Sequence, residues 1–126
     1  MKTASVIARY LLALVFLVFG LNKFFFFIPT GPMPTGPAGQ FVGALFSTHY
    51  LWAIATVEVV CGLLFLIGRY VPLALVLIGP VIVNIVLYHS LMMPSGVPLA
   101  LLLVVLWVLT ALPRRQLFFA FLEPKG

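Results

Sequence analysis

Six polar side chains interrupt or edge the apolar runs of this sequence: Arg9, Asn22, Lys23, Glu58, Asn84 and His89. An ionisable group at membrane depth is costly, so it faces a bundle interior and pairs there. Lys23 and Glu58 with an amide beside them could lock helices together by satisfying one another. The same groups could instead line a polar pocket, or, with Glu58 unpaired and neutral, handle a proton. Both readings stand on the sequence alone. No metal site is expected, because the other histidine, His49, lies in a different segment and no carboxylate neighbours either histidine in sequence. Cys61 is the single thiol, so the chain can form no internal disulfide, CxxC relay or cysteine zinc site. Beside Gly62 it reads as a small packing residue.

These residues sit on four apolar segments, 4–28, 51–67, 71–90 and 97–112, each near the ~20 residues that cross a bilayer core. Of the 126 residues, 64% are hydrophobic and 7% charged, against roughly 25% charged in soluble domains. A water-soluble fold is excluded, and one domain is expected. The run that follows Lys2 and Arg9 resembles a secretory signal, but no A-x-A site follows it, and it is kept as an uncleaved first helix. The short links 68–72 and 93–96 force antiparallel neighbours. An all-α, four-transmembrane-helix up-down-up-down bundle follows.

The first link is longer. Pro29 should stop the first helix, and Pro-Thr-Gly-Pro occurs at 29–32 and again at 34–37, favouring an extended, turn-rich strap. Phe41, Leu45 and Phe46 then fall at near-helical spacing, which predicts a short amphipathic helix at the interface.

The formal net charge of +5 gathers at segment ends and forms no dense basic face. The partner expected from this is the lipid bilayer, with no nucleic acid. Lys2, Arg69, Arg114, Arg115 and Lys125 share one side, whereas the opposite loops hold no lysine or arginine and only Lys23 lies near them. The positive-inside rule therefore puts both termini in the cytoplasm. Tyr50 and Trp52 would mark the outer interface, Tyr70 and Trp107 the inner one. Arg9, near the start of its segment, is expected to snorkel to the cytoplasmic headgroups.

At ~1.5 Å of rise per residue, Lys23, Glu58 and Asn84 all fall roughly 7 to 11 Å below the outer edge. Arg9, Ala13, Phe16, Gly20 and Lys23 form one stripe, and Gly20 would let another helix approach beside Lys23. Ala55, Glu58 and Gly62 share a face of the second helix, and Pro80, Asn84 and Tyr88 one of the third. A buried Lys23, Glu58 and Asn84 cluster is predicted, with Asn22 and His89 at its rim. Pro80 should free the carbonyl of Val76 and kink its helix. Phe24 to Phe27 read as lipid and interface packing.

The pattern Arg9 … Gly20-x-x-Lys23-Phe24, Glu58 … Gly62 … Gly68-Arg69-Tyr70-Val71-Pro72 and Pro80-x-x-x-Asn84 … His89 resembles the DoxX family from about Ile7 to Leu112. The resemblance implies a small multi-pass protein of the bacterial cytoplasmic (inner) membrane. The family is named for a subunit of an archaeal terminal quinol oxidase, has a branch associated with thiosulfate:quinone oxidoreductase, and includes proteins of maturation or chaperone type. Arg9, Lys23, Glu58, Asn84 and His89 match its recurring polar positions, with roles unassigned. The expected function is an accessory subunit docking with a membrane redox partner, with no catalytic residue and no complete activity of its own. Alternatives are a quinone or lipid-like ligand held near Glu58 and Asn84, a membrane chaperone or assembly factor, and, ranked lowest, a transporter. The residues call for no cofactor, with a quinone as the class a pocket here would take.

Overall fold

In hydrocarbon every backbone amide must be satisfied inside the chain, and this sequence meets that demand with helices. The computed structural model describes residues 2–28 and 32–124. Pro29, Thr30 and Gly31 of the first link and Lys125 of the basic set lie outside the described residues. The helices are α1 (Lys2–Phe25), α2 (Gly36–Ser47), α3 (Tyr50–Ile67), α4 (Val71–Leu91), α5 (Val97–Ala111) and α6 (Arg115–Phe119), with single 3₁₀ turns at Pro94–Gly96, Leu112–Arg114 and Ala120–Leu122. No strand occurs among the described residues. Four helical stretches are long and apolar enough to cross a membrane: Lys2–Phe25, Tyr50–Ile67, Val71–Leu91 and Pro94–Leu122.

Two boundaries differ from the sequence reading. α1 stops at Phe25, short of Ile28, because Phe26 turns left-handed with φ 52°. Asn22 fixes that turn by accepting the amide of Ile28 on Oδ1 at 2.7 Å. The last span continues past Leu112 through a 3₁₀ turn into α6. The short helix in the first link is present as α2.

α1 packs against α3 and α5, and α4 closes the ring against the same two helices. The α1–α3 crossing is close because each helix offers the other a glycine. A Cβ on Gly20 would stand 2.9 Å from Val59 Cγ2 and 3.2 Å from Glu58 Cβ, and one on Gly62 would stand 2.8 Å from Leu17 Cγ. Small residues are the usual means of such approach between membrane helices.

Lys2, Arg9, Arg69 and Arg114 gather at one end of the bundle, called here the basic end. The core lies toward that end: Leu12, Phe16, Phe65, Leu75, Ile78 and Leu106 are all buried. α4 runs on to Leu91, yet its last buried residue is Ile82. Beyond it, toward the far end, α3 and α4 are not sealed against each other. α2 lies across that region with only Ala38 buried, fastened by ring contacts from Phe46 to Phe26 (6.1 Å) and from Phe41 to Tyr88 (5.5 Å).

A polar-floored groove as candidate functional site

Where α4 loses its buried face, a cavity of about 830 Å³ opens between α2, α3 and α4. That volume falls within the ~300–1,000 Å³ of small-molecule sites. Its walls are mostly apolar, with Ile54 and Val57 from α3, Leu77 and Val81 from α4 and Phe41 from α2. It runs from Thr48 and His89 at the far end down to Leu77, which is 43% exposed. The groove thus extends to mid-helix depth on α4.

Lys23 and Glu58 meet in this groove. Gly20 brings α1 onto α3 at Glu58 and Val59, so Lys23, one turn further along α1, is carried over the Glu58 carboxylate. Nζ lies 2.7 Å from Oε1, with side-chain exposures of 24% for Lys23 and 3% for Glu58. The approach is that of an ion pair, and among the described residues Nζ is the only group that meets Oε1, an oxygen sealed from solvent. Nζ also donates a long hydrogen bond, 3.4 Å, to the carbonyl of Phe19 on its own helix.

Asn84 lines the same groove but is not in a buried cluster. It is exposed, and its Nδ2 donates to the Pro80 carbonyl one turn back at 2.9 Å. The amide is at the expected depth, but the α4 segment that carries it has no buried residue to draw it inward. His89 lines the far end of the groove. Its Nδ1 is 2.8 Å from the carbonyl of Ile85 and must be the donor there. The ring is seated on Gly96, where any Cβ would overlap it. Asn22 does not line the groove, since its side chain is spent on the turn after α1.

Arg9 lies at the opposite, basic end, and it does not simply extend to headgroups. Its guanidinium donates to the carbonyl of Phe65, packs against Gly68 and stands 4.4 Å over the Tyr10 ring. It thereby caps the last turn of α3, where helix carbonyls lack partners within the helix. Trp107 likewise faces the bundle, donating from Nε1 to the Leu75 carbonyl at 2.9 Å.

Several groove residues escaped sequence reasoning. Tyr88 was placed on the face of Pro80 and Asn84 but not among the site residues. Thr48, Ile54 and Val57 carry no signal that separates them from other interface and lipid-facing residues. Of the four phenylalanines at 24–27, Phe24 packs near Trp52 and Phe26 on Phe46, and none lines the groove. Among the described residues no three His, Cys, Asp or Glu side chains converge as a metal set. Chemically the groove offers an apolar channel, one buried ion pair with unspent hydrogen-bonding capacity, and an imidazole at its mouth.

No curated protein and no solved structure matches the chain. The DoxX family model matches residues 4–90, a stretch that holds α1 to α4 almost entirely, with Arg9, Lys23, Glu58, Asn84 and His89 inside it. A match of that length across the helices that build the groove places this multi-pass membrane protein in the DoxX family.

Proposed function

We propose that this DoxX-family protein holds an amphiphilic small molecule, a quinone or another lipid-like compound, in the groove between α3 and α4. The observation that carries the reading is the groove itself, which is apolar along its walls, polar at Lys23 and Glu58, and open at Leu77. An amphiphile could enter from the bilayer with its polar group leading. The loops at the far end carry no lysine or arginine, so the positive-inside rule supports a bacterial cytoplasmic membrane orientation with both termini inside and the groove in the outer half. Docking to a redox partner, or work as a chaperone, rests on family membership, to which the groove adds nothing.

The test is photolabelling in nanodiscs with a diazirine-bearing long-chain lipid analogue. Labels are expected on α3 and α4 groove residues, and Val57→Trp, which fills the groove, should cut that labelling about tenfold. Labelling spread evenly over lipid-facing α5 and indifferent to Val57→Trp would overturn the proposal.

A further inference from the structure

The groove floor is short of hydrogen bonds, and the shortfall has a definite chemical form. An ammonium carries three donors and an ionised carboxylate about four lone-pair sites. Here Nζ meets Oε1 at 2.7 Å and makes one long hydrogen bond to Phe19, leaving a donor free, and among the described residues the carboxylate meets no donor other than Nζ. Unspent capacity in a low-dielectric site is costly and favours any guest that can use it.

Each class of head group can be set against that floor. A carboxylate or phosphate brings a second negative charge beside Glu58, which is 97% buried by its 3% exposure. An ether, ester or ketone offers acceptors to Lys23 and nothing to Glu58. A quaternary ammonium has no N–H to give and meets Lys23 with like charge. A hydroxyl donates to Glu58 and accepts from Lys23 through one neutral atom. Resting on the amphiphile reading above, and narrowing it to exclude a quinone carbonyl head, we infer that the ligand class is a long-chain alcohol. Its hydroxyl bridges Lys23 and Glu58, and its chain passes Val57 and Val81 to leave the bundle beside Leu77. Thr48 and His89, at the groove's far end, are not required for this contact.

The experiment compares hexadecanol, hexadecyl methyl ether and hexadecanoic acid as competitors of the diazirine probe in phosphatidylcholine nanodiscs. One chain with three heads isolates the head group and needs no variant. The alcohol is expected to compete about tenfold or more better than the ether, the scale of one hydrogen bond to a charged group, and better than the acid. Glu58→Gln, checked for folding by circular dichroism and size exclusion, should shrink the alcohol-over-ether preference to under about threefold. Equal competition by alcohol and ether, preference for the acid, or an undiminished preference in Glu58→Gln would overturn the inference and leave the groove reading standing. Failure of all three compounds to displace a groove-bound probe would sink the alcohol class. Failure of the probe itself to label the groove would sink both.

Discussion

Replacing Lys23 by methionine keeps the length of the side chain and deletes its charge, which leaves the Glu58 carboxyl facing an apolar groove without its partner. Removing one member of a buried pair costs about 3 to 5 kcal/mol, because the remaining charge loses its compensation. Glu58 is 3% exposed and Lys23 24%, so the carboxylate meets the condition for the full penalty, while the lysine's own contribution is partly screened. The expected loss is therefore near the lower bound, about 3 kcal/mol. Adding Glu58→Gln to Lys23→Met removes the stranded charge and should recover most of that loss. In a double-mutant cycle the coupling should be about 2 kcal/mol, well above the ~0.5 kcal/mol within which independent sites add. Unfolding free energies measured by titrating SDS into mixed micelles, followed by tryptophan fluorescence and far-UV ellipticity, supply the four corners. Additive single changes would refute the reasoning, since they would mean that the two charges do not interact across the α1–α3 crossing.

At the basic end, Arg9→Met should cost about 1.5 to 3 kcal/mol, the range for hydrogen bonds to charged groups, by uncapping the carbonyl of Phe65. Arg9→Lys should recover less than half of it, because an ammonium lacks the flat fork that reaches Phe65 while lying over Tyr10. The same SDS titration reads both, and full recovery by lysine would count against the capping geometry. Gly20→Val should be worse than its size suggests, about 1 to 3 kcal/mol from overpacking alone. The Val59 amide nitrogen, 3.2 Å from the new Cβ, is backbone and cannot rotate away. Because the same crossing carries Lys23 to Glu58, Gly20→Val should also abolish most of the Lys23–Glu58 coupling, whereas Gly79→Val, at a position with open space around its Cβ, should leave it intact.

The four spans were legible because length and hydropathy fix them, and the short links left one way to connect them. The meeting of Lys23 with Glu58 was legible for a second reason: each lay on a stripe with a small residue, Gly20 or Gly62, and those glycines are where the helices touch. The same stripe put Arg9 on the bundle-facing side of α1, and that signal outweighs the nearness of Arg9 to the helix end. Depth alone failed for Asn84. Being at the right level says nothing about burial unless the neighbouring helix is also in contact there, and beyond Ile82 α4 keeps only partly buried residues, Ile85 and Val86, against the core. Asn22 was drawn into the cluster by its place next to Lys23, but adjacent helical residues point in different directions and its short amide serves the turn. The polar residues of the groove were legible as a possible pocket, but its apolar walls were not. It is a gap between helices, and the apolar residues that wall it have the composition of lipid-facing ones.

Why the gap stays open can be argued from α4 itself. On its first half the face toward the bundle reads Ala74, Leu75, Ile78 and Ile82, all apolar and all buried, and there the helix packs. On its second half the residues that face the groove include Asn84, Tyr88 and His89. Pressing that half onto Ile54 and Val57 of α3 would desolvate an amide and an imidazole whose second hydrogen-bonding groups have no counterpart on those side chains, at about 1 to 3 kcal/mol for each group left unmet. Dispersion gained by closure is offset by that penalty, so the groove-facing side of the second half of α4 stays off α3. The ring contacts of α2 with Phe26 and Tyr88 then roof the space without filling it. Making α4 apolar through Asn84→Leu and His89→Leu should therefore stabilise the bundle and close the groove together, and the stability gained would be the measure of what an open site costs this fold.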